Sequence, residues 1–467
     1  MPGSSPDSAP TESATGFPAA ELESATELLQ SLIRIDTSNP PGNEKPAIDF
    51  VASRCRDIGL EPEIVGSHPE RPNLVAKWSA DPSLDNGKPI LISCHLDVVP
   101  AVSERWTHPP FSGHNDGTHI WGRGAIDMKG FAAMGLAAIT RLRREELPIN
   151  RDVIFVAVCD EEAGTKHGSK WLVDERPDLL GHQPEYVINE VGGFTVHQKG
   201  RRFYPVQVAE KGVAWIRLTV SGKPGHSSLP STDSSVVKLA RAVAAIGSAS
   251  LPWHPSAEAA NFIKGFAEPE GRIARTLAPL LLNPSLGPNL LPLAIKDPSR
   301  RASIEAILRN TANPTCLQQG QESINTLPGQ ASVDIDGRLA PGQTANQLIE
   351  ELSSVVAPVI GECFEFEILK ESPAVSFSTE TELYREIEST LAEADPGSHV
   401  VPSIIPGFTD SQNYAKLGAN CYGFYPLQLG PELDFSSMFH GDDERIPIEG
   451  FHWGIITLTN LLRRFLT

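Results

Sequence analysis

The sequence predicts an α/β protein: a doubly wound, mostly parallel sheet domain with an inserted, smaller ferredoxin-like α+β domain. Three short apolar runs predict the main sheet, namely PILISCHLDVVP from Pro89, DVIFVAVCDEE from Asp152 and YVINE from Tyr186. Each run ends in polar residues and helical segments lie between them, which is typical of buried parallel strands. In the middle of the chain, strands instead alternate apolar and polar residues, which indicates an antiparallel sheet with one covered face.

The first half of the chain supplies the helices that such a sheet needs. Residues 19–34 place leucines near helical spacing, and DTSNPPGNE, which follows, is a loop by its Pro, Gly and Asn content. The alanine-rich segment from Met128 to Leu142 predicts a second helix, between the first two strands.

The middle of the chain predicts the inserted domain. Its segments follow the strand-helix-strand-strand-helix-strand order of a ferredoxin-like module, and they begin at Ala214, Ser234, Ser303 (SIEAIL), Ala331, Thr344 and Cys363. We therefore expect residues 18–207 and 376–467 to form the doubly wound domain and residues 208–375 the inserted domain. The proline-rich residues 250–300 would be an insertion within that inserted domain.

Composition excludes several other classes of protein. Residues 1–17 predict a disordered tail without a signal peptide, and four prolines exclude a membrane-spanning helix in the leucine-rich 276–295. The 39 basic and 58 acidic residues give a net charge of −19, which repels phosphate backbones and anionic lipid, so neither nucleic acid nor membrane is an expected partner. Six scattered cysteines predict no disulfide framework and favour a reducing, cytoplasmic location.

Imidazole and carboxylate side chains collect at the predicted carboxyl ends of the strands, where doubly wound sheets hold their functional groups. These residues, together with two from loops, are His95, Asp97, Asp127, Asp160, Glu161, Glu162, Glu190 and His440. Taken singly, each has an ordinary explanation: Asp127 as a helix N-cap, or Glu161–Glu162 as a solvated turn. Clustered carboxylates, however, repel one another unless a cation neutralises them. Imidazoles and carboxylates without thiolates suit zinc, cobalt or manganese, so the residues predict a metal site.

Motifs in a fixed order extend this prediction. They are HLDVVP, GRGAIDMKG, DEEAGTKHGS, NEVGG, GHSSLP, NTLPGQASVDIDGR, GFTDS and FHGDDER, and they span residues 95 to 440. In them the chain resembles the co-catalytic zinc amidohydrolases, which include carboxypeptidase G, aminoacylase, acetylornithine deacetylase, succinyl-diaminopimelate desuccinylase and carboxypeptidase S. Phe408 departs from this pattern, because many relatives have a second glycine there. The long 250–300 segment resembles the larger, carboxypeptidase S-like branch.

The resemblance implies a site with two divalent ions, zinc first and cobalt or manganese as alternatives. Asp127 would bridge them, with His95 and Glu190 on one ion and Glu162 and His440 on the other. It further implies that Asp97 orients His95 through the second ring nitrogen and that Glu161 is the general base.

The resemblance also implies that residues 18–207 and 376–467 are the catalytic metal-binding domain. Residues 208–375 would be a lid or dimerisation domain, through which the protein forms a homodimer and which supplies substrate-binding residues. His226 would stabilise the oxyanion in the partner subunit's site, and Asn325, Arg338 and Gly407 would bind substrate, Arg338 through a carboxylate. Two alternatives stay open: His226 could be an ordinary turn residue, and Arg338 could pair with Asp334 or Asp336 on its own strand.

The implied activity is hydrolysis of an amide bond in an N-acyl amino acid or short peptide with a free carboxylate. Three rivals remain: a dipeptidase or carboxypeptidase, a hydrolase of a non-peptide C–N bond, and a non-catalytic protein that binds metal or amino acid. Glu161 argues against the last of these, since a protein without turnover has no need of a base.

Overall fold

The structure is a computed structural model that describes residues 17–84, 87–318, 323–433 and 438–467. The predicted disordered tail lies outside the described residues except for Phe17. This side chain is buried, and the Arg141 guanidinium lies 5.6 Å from its ring centroid. Phe17 therefore belongs to the folded chain, and the predicted end of the tail is one residue too late.

The helices and strands are numbered in chain order. The helices are α1 (Ala19–Ile33), α2 (Lys45–Asp57), α3 (Lys129–Arg144), α4 (Ser169–Glu175), α5 (Ser235–Ser248), α6 (Ala257–Ala267), α7 (Arg272–Leu281), α8 (Gly287–Ala294), α9 (Pro298–Leu308), α10 (Ala345–Ile360), α11 (Glu382–Ala394), α12 (Ser411–Tyr414) and α13 (Ile448–Leu466). The strands are β1 (Pro62–Val65), β2 (Asn73–Trp78), β3 (Gly87–His95), β4 (His114–Asn115), β5 (His119–Trp121), β6 (Arg151–Val158), β7 (Tyr186–Asn189), β8 (Val196–Gln198), β9 (Arg201–Glu210), β10 (Gly212–Ser221), β11 (Gly225–His226), β12 (Thr311–Gln318), β13 (Thr326–Leu327), β14 (Gln330–Leu339), β15 (Phe364–Ser372), β16 (Val375–Ser376), β17 (His399–Ile405), β18 (Asn420–Gly423) and β19 (Arg445–Pro447).

The chain divides into two compact units. The first contains residues up to Gln207 together with Phe377–Val401 and Thr409–Thr467, and the second contains Val208–Ser376 with Pro402–Phe408. Residues 402–408, which the sequence assigned to the catalytic domain, thus belong to the second unit.

The first unit is built on a mixed sheet with a parallel centre. Its strands lie in the order β1-β2-β6-β3-β7-β18-β9, and β6, β3, β7 and β18 are mutually parallel. The outer pairs, β1 with β2, β2 with β6 and β18 with β9, are antiparallel. The predicted α/β class with a mostly parallel central sheet is confirmed. The three apolar runs are the neighbouring strands β6, β3 and β7, so their carboxyl ends share one edge of the sheet.

The alanine-rich segment forms α3, whose buried face packs against α1 and α13. The helix begins at Lys129 with Met128 as its N-cap residue. Asp127 therefore precedes the helix and does not cap it, which removes the ordinary explanation for this carboxylate.

The second unit contains a four-stranded antiparallel sheet in the order β12-β14-β10-β15. Helices α5 and α10 pack on each other and on β14. Along β14, buried and half-buried residues alternate after its first residue, so one face supplies the core of this unit, including Val333, Ile335 and Leu339.

One predicted strand is wrong. SIEAIL, from Ser303, lies in α9, where Asp297 caps the helix by accepting a hydrogen bond from the Arg300 N–H at 2.8 Å. Pro298 follows as the first helical residue, a position that proline favours. The strand is β12 instead, and the pairing of this strand shifts between Pro314 and Cys316, because proline cannot donate a ladder hydrogen bond.

The inserted segment between α5 and β12 forms α6 to α9 around a small apolar core that includes Trp253, Ile263 and Leu291. The leucine-rich 276–295 breaks into α7 and α8, as its prolines predicted. Within the described residues, no helix is long and apolar enough to cross a bilayer. All six cysteines are free thiols.

Candidate metal centre

The five predicted metal ligands converge in the first unit. His95 is the last residue of β3, Glu162 follows β6, and Glu190 follows β7, so three of them leave adjacent parallel strands at the same edge. Asp127 comes from the loop before α3 and His440 from the segment before β19. The topology explains why residues up to 345 positions apart meet.

Asp127 lies at the centre of this cluster, and each of its oxygens faces one imidazole. Its Oδ1 is 3.0 Å from His95 Nε2 and its Oδ2 is 3.2 Å from His440 Nε2. Glu190 Oε2 lies 3.6 Å from His95 Nε2, and Glu162 Oε2 lies 3.1 Å from His440 Nε2. The cluster therefore has two halves that share one carboxylate, which is an arrangement suited to two bridged cations.

The hydrogen bond on the far side of His95 sets its tautomer. The Nδ1 N–H of His95 donates to the backbone carbonyl of Asp97 at 2.9 Å. In a neutral ring this leaves Nε2 as a lone pair, yet Nε2 faces the Asp127 and Glu190 carboxylates. A lone pair and two carboxylates repel one another unless a proton or a metal ion lies between them, so this geometry fits a metal ligand.

Burial and mutual repulsion perturb the carboxylates strongly. Burial raises the pKa of Glu190 to about 8, and burial followed by the charge of Asp127 raises the pKa of Glu162. Burial raises the pKa of Asp127, but its contacts with the His440 and His95 imidazoles outweigh burial and hold this pKa below its ordinary value. Burial followed by the charge of Glu190 raises the pKa of Glu161 well above its usual range.

The donor set also fits metal ions because, among the described residues, it leaves a buried carboxylate oxygen without a hydrogen bond. Oε1 of Glu162 is buried and accepts no hydrogen bond within the described residues. Two groups, His95–Glu161–Glu190 and His95–Asp127–Glu162, each place one ligand atom per residue within 4.8 Å of one another. Imidazole nitrogens with carboxylate oxygens and no thiolate match zinc, cobalt or manganese. Because Glu161 lies as near as a ligand does, proximity alone does not separate the base from the ligands.

Asp97 contacts the metal-ligand cluster in a different way from the one that the resemblance implies, in which it orients His95. Its carboxylate lies 3.7 Å from His95 Nδ1, so the backbone carbonyl, not the carboxylate, is the closer hydrogen-bond partner of that ring. The carboxylate accepts instead from the backbone N–H of Glu161 at 3.2 Å and of Glu162 at 3.1 Å. Asp97 therefore holds the turn that carries both glutamates.

A buried polar network continues behind Asp97, and sequence reasoning missed it. Asn39 donates to Asp97 at 2.8 Å and to Asp160 at 3.3 Å. Asp160 also lies 3.0 Å from Arg71, which in turn forms a two-pronged ion pair with the buried Glu44. The only sequence signal is DTSNPPGNE, which contains Asn39 and Glu44 and was assigned to a loop.

A second missed residue is Glu444, which is fully buried and anchors the loop that carries Asp127. Its two oxygens accept hydrogen bonds from the backbone N–H groups of Gly124, Ile126 and Asp127 at 3.1, 2.7 and 3.0 Å. The Arg123 guanidinium lies 2.7 Å away and balances the charge. Glu444 follows His440 by four residues. The same short segment therefore supplies one predicted ligand, His440, and anchors the loop that carries another, Asp127.

The predicted substrate-binding residues lie in the second unit. His226 and Thr326 are paired residues of β11 and β13, and the backbone N–H of Ser227 donates to Asn325 O at 3.0 Å, so His226 and Asn325 are neighbours. His226 is exposed and its Nδ1 lies 2.8 Å from Ser228 Oγ. His226 therefore makes the local hydrogen bond that an ordinary turn residue would make. Its exposed ring is also accessible to a ligand.

Arg338 pairs with Asp336 on its own strand, through Nε at 2.9 Å and Nη2 at 3.1 Å, which is one of the alternatives left open. The remaining nitrogen, Nη1, is buried without a hydrogen-bond partner among the described residues. The Phe408 ring lies 5.6 Å from this guanidinium. Gly407, the preceding residue, has no atom within 4 Å of where a Cβ would stand, so it borders open space.

With this geometry in place, the comparison with known families is decisive. The profile of peptidase family M20/M25/M40 matches residues 91–464. The chain belongs to peptidase family M20/M25/M40. This confirms the resemblance, and M20 proteins are metal-dependent hydrolases.

Individual M20 proteins resemble most of the chain. It is 30% identical over 388 residues to probable carboxypeptidase S-like 2 of Dictyostelium discoideum, covering 81% of this chain and 72% of that protein. It is 28% identical to human aminoacylase-1, covering 95% of this chain and 96% of that protein. The crystal structure of the M20 metallo-carboxypeptidase Sso-CP2 from Sulfolobus solfataricus superposes with a TM-score of 0.68 at 19% identity, over 95% and 99% of the two chains. At this sequence identity, the likeness to Sso-CP2 shows the fold alone.

Proposed function

We propose that the chain hydrolyses the amide bond of an N-acyl amino acid or short peptide with a free carboxylate, using two metal ions. The observation that carries this proposal is the shared carboxylate Asp127 between two imidazole–glutamate pairs, with Glu161 beside them. Membership of the M20 family supports hydrolysis, and the likeness to aminoacylase-1 and a carboxypeptidase S-like protein favours an amide bond.

In this proposal Asp127 would be shared by the two ions, His95 and Glu190 would hold one, and Glu162 and His440 would hold the other. Zinc suits these donors best, and cobalt or manganese would bind the same set. When bound, the ions supply Lewis acidity for the scissile carbonyl and lower the pKa of water at the site.

Glu161 is proposed as the general base. Its buried carboxylate lies beside His95 and Glu190, so it could accept a proton from the attacking water and then donate that proton to the leaving nitrogen. Asp97 assists by holding the backbone N–H groups of Glu161 and Glu162, which fixes the base and its neighbouring ligand in separate directions.

The second unit is proposed to bind substrate and to form the dimer. The exposed His226 would stabilise the oxyanion in the partner subunit's site, and Asn325 beside it would hydrogen bond the substrate. Arg338 would bind the free carboxylate with Nη1, the nitrogen that Asp336 leaves unpaired. Gly407 would line the substrate pocket.

A substrate screen with metal-loaded protein tests this function. Its arms are N-acyl amino acids, dipeptides, the same compounds with amidated carboxylates, and non-peptide C–N substrates such as ureides. Turnover of N-acyl amino acids with free carboxylates is expected. Preference for dipeptides would make the protein a dipeptidase or carboxypeptidase, and turnover of ureides alone would make it a hydrolase of non-peptide C–N bonds. Metal binding without turnover of any compound would contradict an enzymatic role.

A further inference from the structure

The turn between β6 and α4, residues 159–168, carries Glu161 and contains two strained residues. Asp160 and Thr165 have φ angles of 65° and 66°, in the left-handed region that residues other than glycine rarely adopt. The strain is greater at Thr165, because its side chain is branched at Cβ. Such a conformation persists only where the surrounding structure holds it, so the contacts of Thr165 decide whether the turn keeps its shape.

Two backbone hydrogen bonds connect Thr165 to Glu161. The N–H of Thr165 donates to the carbonyl of Asp160 at 2.6 Å, and the N–H of Gly164 donates to the carbonyl of Glu161 at 3.1 Å. These two carbonyls belong to the peptide groups on either side of the Glu161 Cα. A turn that relaxed at Thr165 would release both hydrogen bonds, and the Glu161 side chain would lose its fixed direction.

Asn413, in the short helix α12, holds Thr165 from outside the turn. Its Nδ2 donates to Thr165 Oγ1 at 3.0 Å and to Oγ of Ser169, the first residue of α4, at 2.9 Å. The Lys416 ammonium donates to Asn413 Oδ1 at 2.9 Å, so both ends of the amide are used and its orientation is fixed. Asn413, Thr165 and Ser169 are buried, where a group that loses its hydrogen-bond partner is costly.

The residue before α12 holds the far end of the same turn. The Ser169 hydroxyl donates to Oδ1 of Asp410, which is also buried. Ser169 thus accepts from Asn413 and donates to Asp410, and α12 packs against α4. The start of α4 and the strained Thr165 are therefore both attached to residues 410–413.

We propose that Asn413 is a positioning residue, which keeps Glu161 directed at the metal-ligand cluster by holding Thr165 in its left-handed conformation. This inference rests on the proposed function, in which Glu161 is the base. The alternative is that Asn413 only completes a buried polar network. The two explanations differ in their dependence on Thr165, because in Thr165→Gly the backbone adopts a positive φ without strain.

A double-mutant cycle measured by steady-state kinetics tests the proposal. Asn413→Ala is expected to lower kcat by about tenfold or more, because a small misplacement of a catalytic group is costly, while KM and metal content change by less than about twofold. In the Thr165→Gly background, the same change should cost less than about threefold in kcat, since glycine keeps this φ by itself. Thr381→Ala is the matched control. Thr381 is half-buried, caps α11 and contacts Tyr422, so kcat should be unchanged.

Hydrogen exchange of the metal-free chain provides a readout that does not need activity. In Asn413→Ala the amides of Gly164 and Thr165 should exchange about tenfold or more faster, while those of β6 keep their rates. Lys416→Met covers the case in which Asn413→Ala does not fold. Lys416 is exposed, and its loss frees only the orientation of the Asn413 amide, so the Thr165 amide should exchange about twofold or more faster.

Glu161→Gln separates failure of this inference from failure of the proposed function. If Glu161→Gln hydrolysed as fast as the unchanged chain, Glu161 would not be the base and the proposed function would be wrong. If Glu161→Gln is inactive while Asn413→Ala keeps its kcat, the positioning role is excluded. An equal loss with and without Thr165→Gly, or unchanged exchange of the Thr165 amide, would exclude it as well.

Discussion

Glu161 and Glu162 are neighbours in the chain, yet their side chains have different surroundings. Glu162 lies against His440, whereas Glu161 groups with His95 and Glu190. We expect Glu161→Gln to keep bound metal and the fold while losing roughly 100-fold or more in kcat, the scale of a lost general base. Glu162→Gln should instead weaken metal binding. Metal content and steady-state rates of both variants measure this, and the reverse pattern would exchange the two roles.

Glu444 has no contact with the proposed ions and acts through the loop of Asp127. In Glu444→Gln the amide nitrogen cannot accept, so at least one buried backbone N–H among Gly124, Ile126 and Asp127 loses its partner. We expect metal affinity to fall by about tenfold to a hundredfold, measured by competition with a chelator. Asp443→Asn is the control, because Asp443 is only half-buried and contacts Thr107 instead. Equal affinity in both variants would remove the positioning role.

At the scale of residues, the sequence predicts side chains that can themselves bind metal or transfer a proton. It misses side chains that act by holding the backbone of a neighbouring loop. Imidazoles and carboxylates at strand ends and in two loops suggested a metal site, and the resemblance selected His95, Asp127, Glu162, Glu190 and His440 among them as ligands. The structure brings these five together. Glu444 and Asn39 were missed, since an acceptor of backbone hydrogen bonds has no sequence signature until the loop it holds is known.

At the scale of elements, the ion pairs on β10 and β14 allow a matched test of the carboxylate anchor. Arg338 on β14 pairs with Asp336, and Arg217 on β10 pairs with Asp334 in the same two-pronged geometry. We expect Arg338→Met to raise KM for free-carboxylate substrates by the equivalent of about 2 kcal/mol, while their amides are unaffected. Arg217→Met should change neither. Equal turnover of free and amidated substrates before and after Arg338→Met would refute the anchor.

The strands that were predicted correctly are those for which one sequence pattern dominated. β3, β6 and β7 contain short apolar runs that end in polar residues, which is typical of buried parallel strands. SIEAIL failed because its apolar spacing suits a helix or a strand, and Asp297 with Pro298 decided in favour of the helix. β12 was hidden by Pro314, which excludes a regular ladder but not one with a register shift.

At the scale of the whole molecule, the proposed dimer predicts complementation between inactive subunits. His226→Ala removes a group that would act in the partner's site, and Glu161→Gln removes one that acts in its own. Mixing the two inactive variants should restore part of the activity, because one of the two hybrid sites keeps both groups. Activity after subunit exchange measures this, and no recovery despite proven exchange would contradict a site completed in trans.

Metal loading of the whole chain tests the central claim most directly. Protein stripped of metal and titrated with zinc should bind up to two ions per chain and recover hydrolysis that chelation had abolished. His95→Ala and His440→Ala should lose both binding and activity, since each removes one imidazole facing Asp127. Unchanged hydrolysis by rigorously metal-free protein would contradict the account.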